Sequence, residues 1–592
     1  MALPNKNEIL KPVGRIRVWY GGLILVLAVF GLQLFYIQII QYGHYKAAAL
    51  SDQLKQYQIP ATRGIIEAHD GESIIPIVLN QQLYTLYADP TFIKQPDTLA
   101  KQLVPIVGGS ASAYSGLMKT KNTRYVVLAK KITPQQQTKI LSLKSPGLGT
   151  QGVDYRTYPQ GSLASQTLGF VGVDGKGNYG IEQALNNQLA GKPGKLKAIT
   201  DANGVPLAAS KDNIDAAPKN GDTVVTTLDL SMQAQMEQIL QQDYKNTKSQ
   251  GLSAVIMDPN TGAIKAMANF PTFDPSNYAN VSDPTLFNNA AVSNAIEPGS
   301  TMKILTTAAA LDQGVIQPDT TFYDPAHWIV DGFNITDIEQ DGGARQQNIA
   351  SVLNLSLNTG ATWMLMQMGG GQINTKARNV WYDYMTKHFR LGQTTGVEQG
   401  YESAALVPPP QDNGAGIDLT YANTSFGQGL QITALQMAAA DSSVLNGGTY
   451  YQPHLVDNYI TADKQTVNVS PKVLVKNVVS AKVSQDMQSL MENVVQQHLA
   501  AGFPYLNFDS KYIVGGKTGT AQIAQPGGGY YADKYNGTYV GFVGGDKPQY
   551  VIVVYNMQPQ VPGYAGTYGG QPVFADLAHM LINSSFVSPK SH

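Results

Sequence analysis

Residues 18–40 read VWYGGLILVLAVFGLQLFYIQII, 23 consecutive positions without a charge. About 20 apolar residues at ~1.5 Å rise each cross the ~30 Å hydrocarbon layer of a bilayer. A lone segment in lipid must satisfy its own backbone, which a helix does and an open strand does not. Lys6, Lys11, Arg15 and Arg17 precede the run, so the excess of basic charge predicts a cytoplasmic N-terminus. Trp19, Tyr20, Tyr42 and Tyr45 fall near the two interfaces. The run exceeds the roughly 7–15 apolar residues of a removable signal, although KAAALS at 46–51 has the small residues of a cleavage site. The expectation is a single uncleaved anchor at 18–40 in the cytoplasmic membrane. Residues 1–17 form a cytoplasmic tail and the remainder lies outside the cytoplasm.

That remainder is too long for one core; 592 residues suggest about three to four folding units. With 43% apolar residues it can build a packed interior, and with 14% charged residues and a net charge of −1 it carries no basic block for nucleic acid. The absence of cysteine excludes a disulfide scaffold and a thiolate metal site. Residues 41–220 mix short strands with Gly/Pro turns and read as an irregular α+β module whose titratable residues are scattered. DAAPKNGDTVVTTLD at 215–229 marks a boundary, a turn cluster before a new strand. From 221 to 592 a hairpin, LSAVIMDPNTGAIKAMANF, precedes a helix-rich middle, and YIVGGKTGTAQIA, NGTYVGFVGG and QYVIVVYNMQ add late strands. Strands at both ends predict one antiparallel sheet, with the early hairpin pairing with the late strands and helices on the faces. QGYESAALVPPPQDNGAGIDL (399–419) and AQPGGGYYADKYNGTYV (524–540) read as loops, the second a candidate rim for a groove.

Three short motifs carry chemistry. In NAIEPGSTMKIL, Ser300 follows Pro298-Gly299 and precedes Lys303 by three positions. Residues i and i+3 share a helix face, so a helix starting at Ser300 sets the amine under the hydroxyl. Serine needs a base, and a buried lysine can be one because desolvation disfavours its charged form. A second cation nearby acts the same way. An isolated S-x-x-K arises by chance roughly once or twice in such a length. The second motif, Ser356-Leu357-Asn358, is weak alone. The third, Lys517-Thr518-Gly519-Thr520, lies on a glycine-flanked strand where a peptide backbone can come close. The eight histidines form no H-E-x-x-H or other close pair and are expected mostly on the surface; no metal or other cofactor is called for.

In the order S-x-x-K, S-x-N, K-T-G-T, the motifs match a set shared by penicillin-binding proteins and β-lactamases. With ATRGIIEAHDG, YPQGSLASQTLGFVGVDGKGNYGIE, TSFGQGLQITALQMAAA and LNGGTYYQP, the chain resembles the class B penicillin-binding proteins over nearly its whole length. Glu67 stands where that family usually has Asp, and Ile304 where proline often follows the lysine. The resemblance implies a multidomain α+β fold. It comprises one transmembrane helix, a pedestal of the family's dimerisation type at 41–220, and a transpeptidase domain at 221–592 with a five-stranded antiparallel sheet, similar to the serine β-lactamases.

It also implies roles. Ser300 attacks the penultimate D-Ala carbonyl of a peptidoglycan stem peptide and Lys303 takes its proton. Ser356 and Lys517 relay a proton to the leaving amine, and Asn358 binds the substrate amide. Thr518, Gly519 and Thr520 hold the substrate, with the N–H groups of Ser300 and Thr520 as oxyanion hole. β-Lactams would acylate Ser300. Asn358 and Glu297 in EPGS lean toward the division-type, FtsI-like branch, whose implied partners are an FtsW-like membrane glycosyltransferase and other divisome proteins. The alternatives are an elongation-type transpeptidase or a non-catalytic penicillin-binding sensor. A β-lactamase would need a deacylating base, and no suitable glutamate is evident; a Ser/His/Asp hydrolase is disfavoured by the absence of G-x-S-x-G.

Overall fold

A computed structural model of the chain describes residues 12–46, 54–199, 214–337, 343–411 and 416–591. Lys6, Lys11 and most of the 46–51 segment lie outside these residues, as does part of the 399–419 stretch. The chain divides into two units, one formed by its start and residues 191–220, the other by 63–190 and 221 onward. In the first, α1 (Pro12–Phe35) continues through a π-helical turn at Tyr36–Ile40. Ile16–Ile40 is long and apolar enough to cross a membrane, and its side chains stand exposed along its whole length. Beyond it, strand Gly194–Ile199 pairs antiparallel with Leu54–Ile59 on one side and Ile214–Ala216 on the other.

The second unit begins with a hairpin of β1 (Ile66–Asp70) and β2 (Ser73–Ala88). β2 then pairs along ten positions with β3 (Leu148–Thr157), from Leu79↔Thr157 to Ala88↔Leu148. The short helix α2 (Gly180–Ala184) returns the chain toward β4 (Thr223–Asp229). β4 runs parallel to β1, with Val224 opposite Ile66, and antiparallel to Val456–Ile460. The residues before and after position 220 therefore share one sheet.

Charges dispersed through the sequence of this region converge here. Glu182, on α2, is fully buried. Its Oε2 accepts from Arg63 Nε at 2.8 Å and Nη2 at 2.5 Å, and its Oε1 accepts from Arg156 Nε at 2.6 Å. Asn80 Oδ1 and Asn186 Oδ1 take further guanidinium donors, from Arg156 and Arg63 respectively.

Past α3 (Leu230–Thr247), capped by Asp229 accepting from Met232 N–H at 2.9 Å, the expected hairpin forms as β5 (Gly251–Met257) and β6 (Ile264–Phe270). The helices α4 (Met302–Asp312), α5 (Asn358–Met368), α6 (Ala434–Leu445) and α7 (Ala481–Ala500) follow. The late strands β7 (Ile513–Ala524), β8 (Tyr530–Gly544) and β9 (Pro548–Met557) precede α8 (Gln571–Asn583). The antiparallel sheet has the order β6-β5-β9-β8-β7, so the early hairpin pairs with β9, with Ala254 opposite Val554. Successive side chains of a strand point to opposite faces. On β9, Ile552 and Val554 join Met236 of α3 and Leu577 of α8, whereas Val551 and Val553 join the larger cluster with Leu305 of α4 and Leu435 of α6. Both faces being covered explains why Val551–Val554 is continuously apolar. The observed architecture is the α+β, helix-flanked five-stranded arrangement expected from the sequence.

Two expectations need correction. The 524–540 stretch is not a loop: its Gly- and Tyr-rich residues close a hairpin between β7 and β8, with a turn at 525–529 and Gln522 paired with Tyr535. The tyrosines favour the pleated strand and the glycines its turn. The histidines are also not mostly on the surface. Of the seven described, only His44 and His327 are exposed. Others are half-buried and share a nitrogen with a carbonyl oxygen, as His388 Nδ1 does with Val478 (2.8 Å) and His579 Nε2 with Tyr505 (2.9 Å).

Asp441 on α6 is fully buried and, among the described residues, neither carboxyl oxygen has a hydrogen-bond partner, so burial holds its pKa well above the usual carboxylate range. The folded chain then keeps a proton that the unfolded chain releases above about pH 4. This residue's contribution to stability is complete below that pH and is lost as pH rises toward the folded-state pKa. Asp441→Ala is expected to raise stability near pH 7 by about 1–3 kcal/mol and to flatten the decline above about pH 4. Urea denaturation at both ends of that interval measures it, and an unchanged midpoint near neutral pH would contradict an unpaired neutral carboxyl.

Candidate active site

Ser300 lies in a 3-10 turn, Gly299–Thr301, that feeds directly into α4. The turn is pinned from three sides. Pro298 carbonyl accepts from Thr301 Oγ1 at 2.9 Å and from Thr538 Oγ1 at 2.7 Å, and Gly299 N–H donates to Gly427 carbonyl at 3.0 Å. Gly299 has φ +59°, and a Cβ there would come within 2.6 Å of the Thr520 carbonyl oxygen. A Cβ on Gly519 would come within 2.6 Å of the Pro298 oxygen. These two glycines let the K-T-G strand, at the edge of the sheet, press backbone to backbone against the serine turn.

Because Ser300 opens the helix, Lys303 falls beneath it. Lys303 Nζ donates to Ser300 Oγ at 3.0 Å, to Asn358 Oδ1 at 2.8 Å and to Ser356 Oγ at 3.3 Å, and it also donates to the Ser356 carbonyl. Ser356 is held at φ +60°, a costly conformation for a non-glycine residue, and the bond to its carbonyl helps fix it there. Lys517 Nζ donates to Ser356 Oγ at 3.0 Å and to Thr518 carbonyl at 3.0 Å. Both lysines are buried, Lys303 at 0% and Lys517 at 1% exposure. The hydroxyl the two amines share is that of Ser356, with Ser300 on the far side of Lys303. Asn358 Nδ2 donates to Thr336 carbonyl at 3.0 Å, and among the described residues its second hydrogen has no partner.

Above this network opens a groove of about 670 Å³, lined by Ser300, Ser356, Asn358, Thr518 and Thr520, with Phe426, Phe503, Tyr535 and Tyr564 among its walls. Thr520 Oγ1 accepts from Gly566 N–H at 2.9 Å. Gly519, grouped with the two threonines in the sequence, faces the serine turn and is not among the lining residues. Two groove-side features were not anticipated. His498, at the end of α7, lines the wall with its Nδ1 3.3 Å from Gln571 Oε1. Burial, with the charge of Lys517 acting the same way, holds this imidazole below its usual range. Glu297 Oε1 accepts from Gly429 N–H at 2.9 Å and from the Tyr530 hydroxyl at 3.0 Å, tying the segment before the serine to the β7–β8 hairpin. Burial raises its carboxyl pKa.

Residues 252–579 match the penicillin-binding protein transpeptidase domain, and residues 58–226 the penicillin-binding protein dimerisation domain. The chain belongs to the penicillin-binding protein transpeptidase family. This penicillin-binding protein is 29% identical to stage V sporulation protein D of Bacillus subtilis, over 96% of this chain and 85% of that one. It is 24% identical to the peptidoglycan D,D-transpeptidase FtsI of Escherichia coli K12, over 97% of this chain and 92% of that one. A crystal structure of penicillin-binding protein 3 from Mycobacterium tuberculosis complexed with ampicillin superimposes with a TM-score of 0.67 at 27% identity, covering 90% of this chain and 98% of that one.

Proposed function

We propose that this penicillin-binding protein is a serine D,D-transpeptidase that crosslinks peptidoglycan stem peptides. In this reading residues 18–40 anchor it in the cytoplasmic membrane, 41–220 form the pedestal and 221–592 carry the chemistry. The observation that carries the reading is the unbroken hydrogen-bonded chain Ser300–Lys303–Ser356–Lys517 at the floor of an open groove.

Burial favours an uncharged Lys303 amine, and the nearby Lys517 amine acts in the same sense. Neutral Lys303 takes the proton of Ser300 as Oγ attacks the penultimate D-Ala carbonyl. Ser356 and Lys517 return a proton to the departing amine of the terminal D-Ala. Thr518 and Thr520 hold the substrate carboxylate, and Asn358 its amide. The N–H groups of Ser300 and Thr520, brought close by Gly299 and Gly519, stabilise the oxyanion, the term that dominates most acyl transfers. An amine from a neighbouring stem peptide then takes the acyl group. β-Lactams acylate Ser300 by the same first step.

Asn358 and Glu297 favour the division-type branch, with an FtsW-like glycosyltransferase and other divisome proteins as partners of the anchor and pedestal. The basic residues before the anchor favour a cytoplasmic N-terminus. The test is intact mass after incubation with ampicillin, followed by mapping of the adduct. A stable adduct on the peptide containing Ser300 and crosslinking of stem peptides are expected. A chain that gains no mass overturns the reading, and rapid loss of the adduct would mark a β-lactam hydrolase. Depletion in cells is expected to give filaments; round cells would move the protein to elongation.

A further inference from the structure

A second groove, of about 650 Å³, adjoins the one above Ser300 and shares Tyr535 as a wall. The segment 563–565 also borders both, presenting Gly563 and Ala565 to the second groove and Tyr564 to the first. Tyr535 lies two residues along β8 from Gly537, which pairs with Thr520 of the K-T-G-T strand. At ~3.3 Å per residue that is a step of about 7 Å. The two grooves therefore meet at Tyr535, two residues along β8 from the position paired with Thr520.

The lining chemistry differs from that of the first groove. Lys248 and Lys534 contribute cations from the end of α3 and the start of β8, against the single carboxylate of Asp533. Among the described residues neither lysine makes an ion pair, and Lys534 Nζ lies 4.4 Å from the ring centroid of Tyr531. Gln558 Nε2 donates to Gln250 Oε1 at 2.7 Å, and both amides line the groove. Lysine is a point-charge donor suited to carboxylates, and paired amides suit a peptide backbone.

We infer that this second groove binds the acyl acceptor, a stem peptide bearing a side-chain amine and one or more carboxylates. The inference rests on the transpeptidase reading above. Lys248 and Lys534 hold the acceptor's carboxylates. Their charge also biases the acceptor's amine toward its neutral, nucleophilic form. The amine nitrogen attacks the acyl carbon of the Ser300 ester and forms the new amide bond. As the C–Oγ bond breaks, the proton shed by the amine passes through Lys303 to Ser300 Oγ. Donor and acceptor, both anionic peptides, are thus kept on opposite sides of Tyr535.

The test uses the full chain in detergent, first acylated with ampicillin so that the first groove is filled. Binding of N-terminally labelled L-Ala-γ-D-Glu-L-Lys is followed by fluorescence anisotropy. Saturable binding is expected to survive acylation and to weaken at least tenfold in the Lys248→Gln/Lys534→Gln double variant, a change of about 1.4 kcal/mol. The same peptide with its carboxylates amidated is expected to bind both forms equally weakly. Ampicillin acylation of the double variant should stay within twofold of the unsubstituted rate. No saturable binding to the acylated chain, or equal binding by the double variant, overturns the inference. Failure of the unsubstituted chain to take up ampicillin overturns the transpeptidase reading instead.

Discussion

Lys303→Gln is expected to slow acylation by a penicillin about 10²–10⁴-fold, the range over which a positioned base contributes. The amine is fully buried and its nitrogen is 3.0 Å from Ser300 Oγ. Glutamine is similar in length and can still donate to Asn358 Oδ1 and the Ser356 carbonyl, so the loop carrying Ser356 keeps its anchor. What glutamine cannot do is accept a proton. Lys303→Arg makes the complementary change, retaining a cation that never deprotonates, and the same loss is expected from it. Ser300→Ala should abolish covalent labelling altogether. Circular dichroism and the urea midpoint of each variant distinguish lost chemistry from lost fold. Stopped-flow labelling at the unsubstituted rate in Lys303→Gln would remove Lys303 from the proton-transfer step.

The residues of this network could be picked from the sequence because their spacing is local. An i, i+3 pair at the start of a helix, or Thr518 and Thr520 on one strand, needs no knowledge of the rest of the fold. The sheet was readable for a related reason: strands with continuous apolar runs, such as Val551–Val554, imply cover on both faces. Features that depend on long-range register were not readable. Arg63, Arg156 and Glu182 are dispersed along the chain, and nothing in their neighbours announces that the segment before β1, strand β3 and helix α2 will bring them together. His498 ends an ordinary amphipathic helix, and only the approach of Phe503 and the K-T-G strand makes its ring a groove wall. The 524–540 hairpin was misread because its glycines and tyrosines are as common in loops as in a twisted two-stranded extension. Only the pairing of Gln522 with Tyr535 decides between them.

Glu182→Ala is expected to destabilise the chain by about 3–5 kcal/mol, because it strands two buried guanidinium groups. Arg156 is 4% and Arg63 10% exposed in the side chain, and the single carboxylate of Glu182 is shared by both. Surface ion pairs are worth little because water screens them, but here solvent is excluded and the cost of the unpaired charges is not relieved. The position of the cluster extends the effect beyond its own residues. Arg63 lies three residues before β1, which pairs with β4, so loosening it frees the sheet that joins β1 and β2 to the strand leading into α3. The loss should appear as a lower urea midpoint and as faster loss of penicillin labelling on mild heating, with the labelling rate itself near normal at low temperature. A triple variant, Arg63→Met/Arg156→Met/Glu182→Leu, separates lost contacts from uncompensated charge. Replacing a whole buried ionic cluster by apolar side chains of similar volume is often neutral or stabilising, so the triple variant should recover most of the midpoint. If it remains as unstable as Glu182→Ala, the cluster's worth lies in its hydrogen-bond geometry, through Asn80 and Asn186, rather than in charge balance.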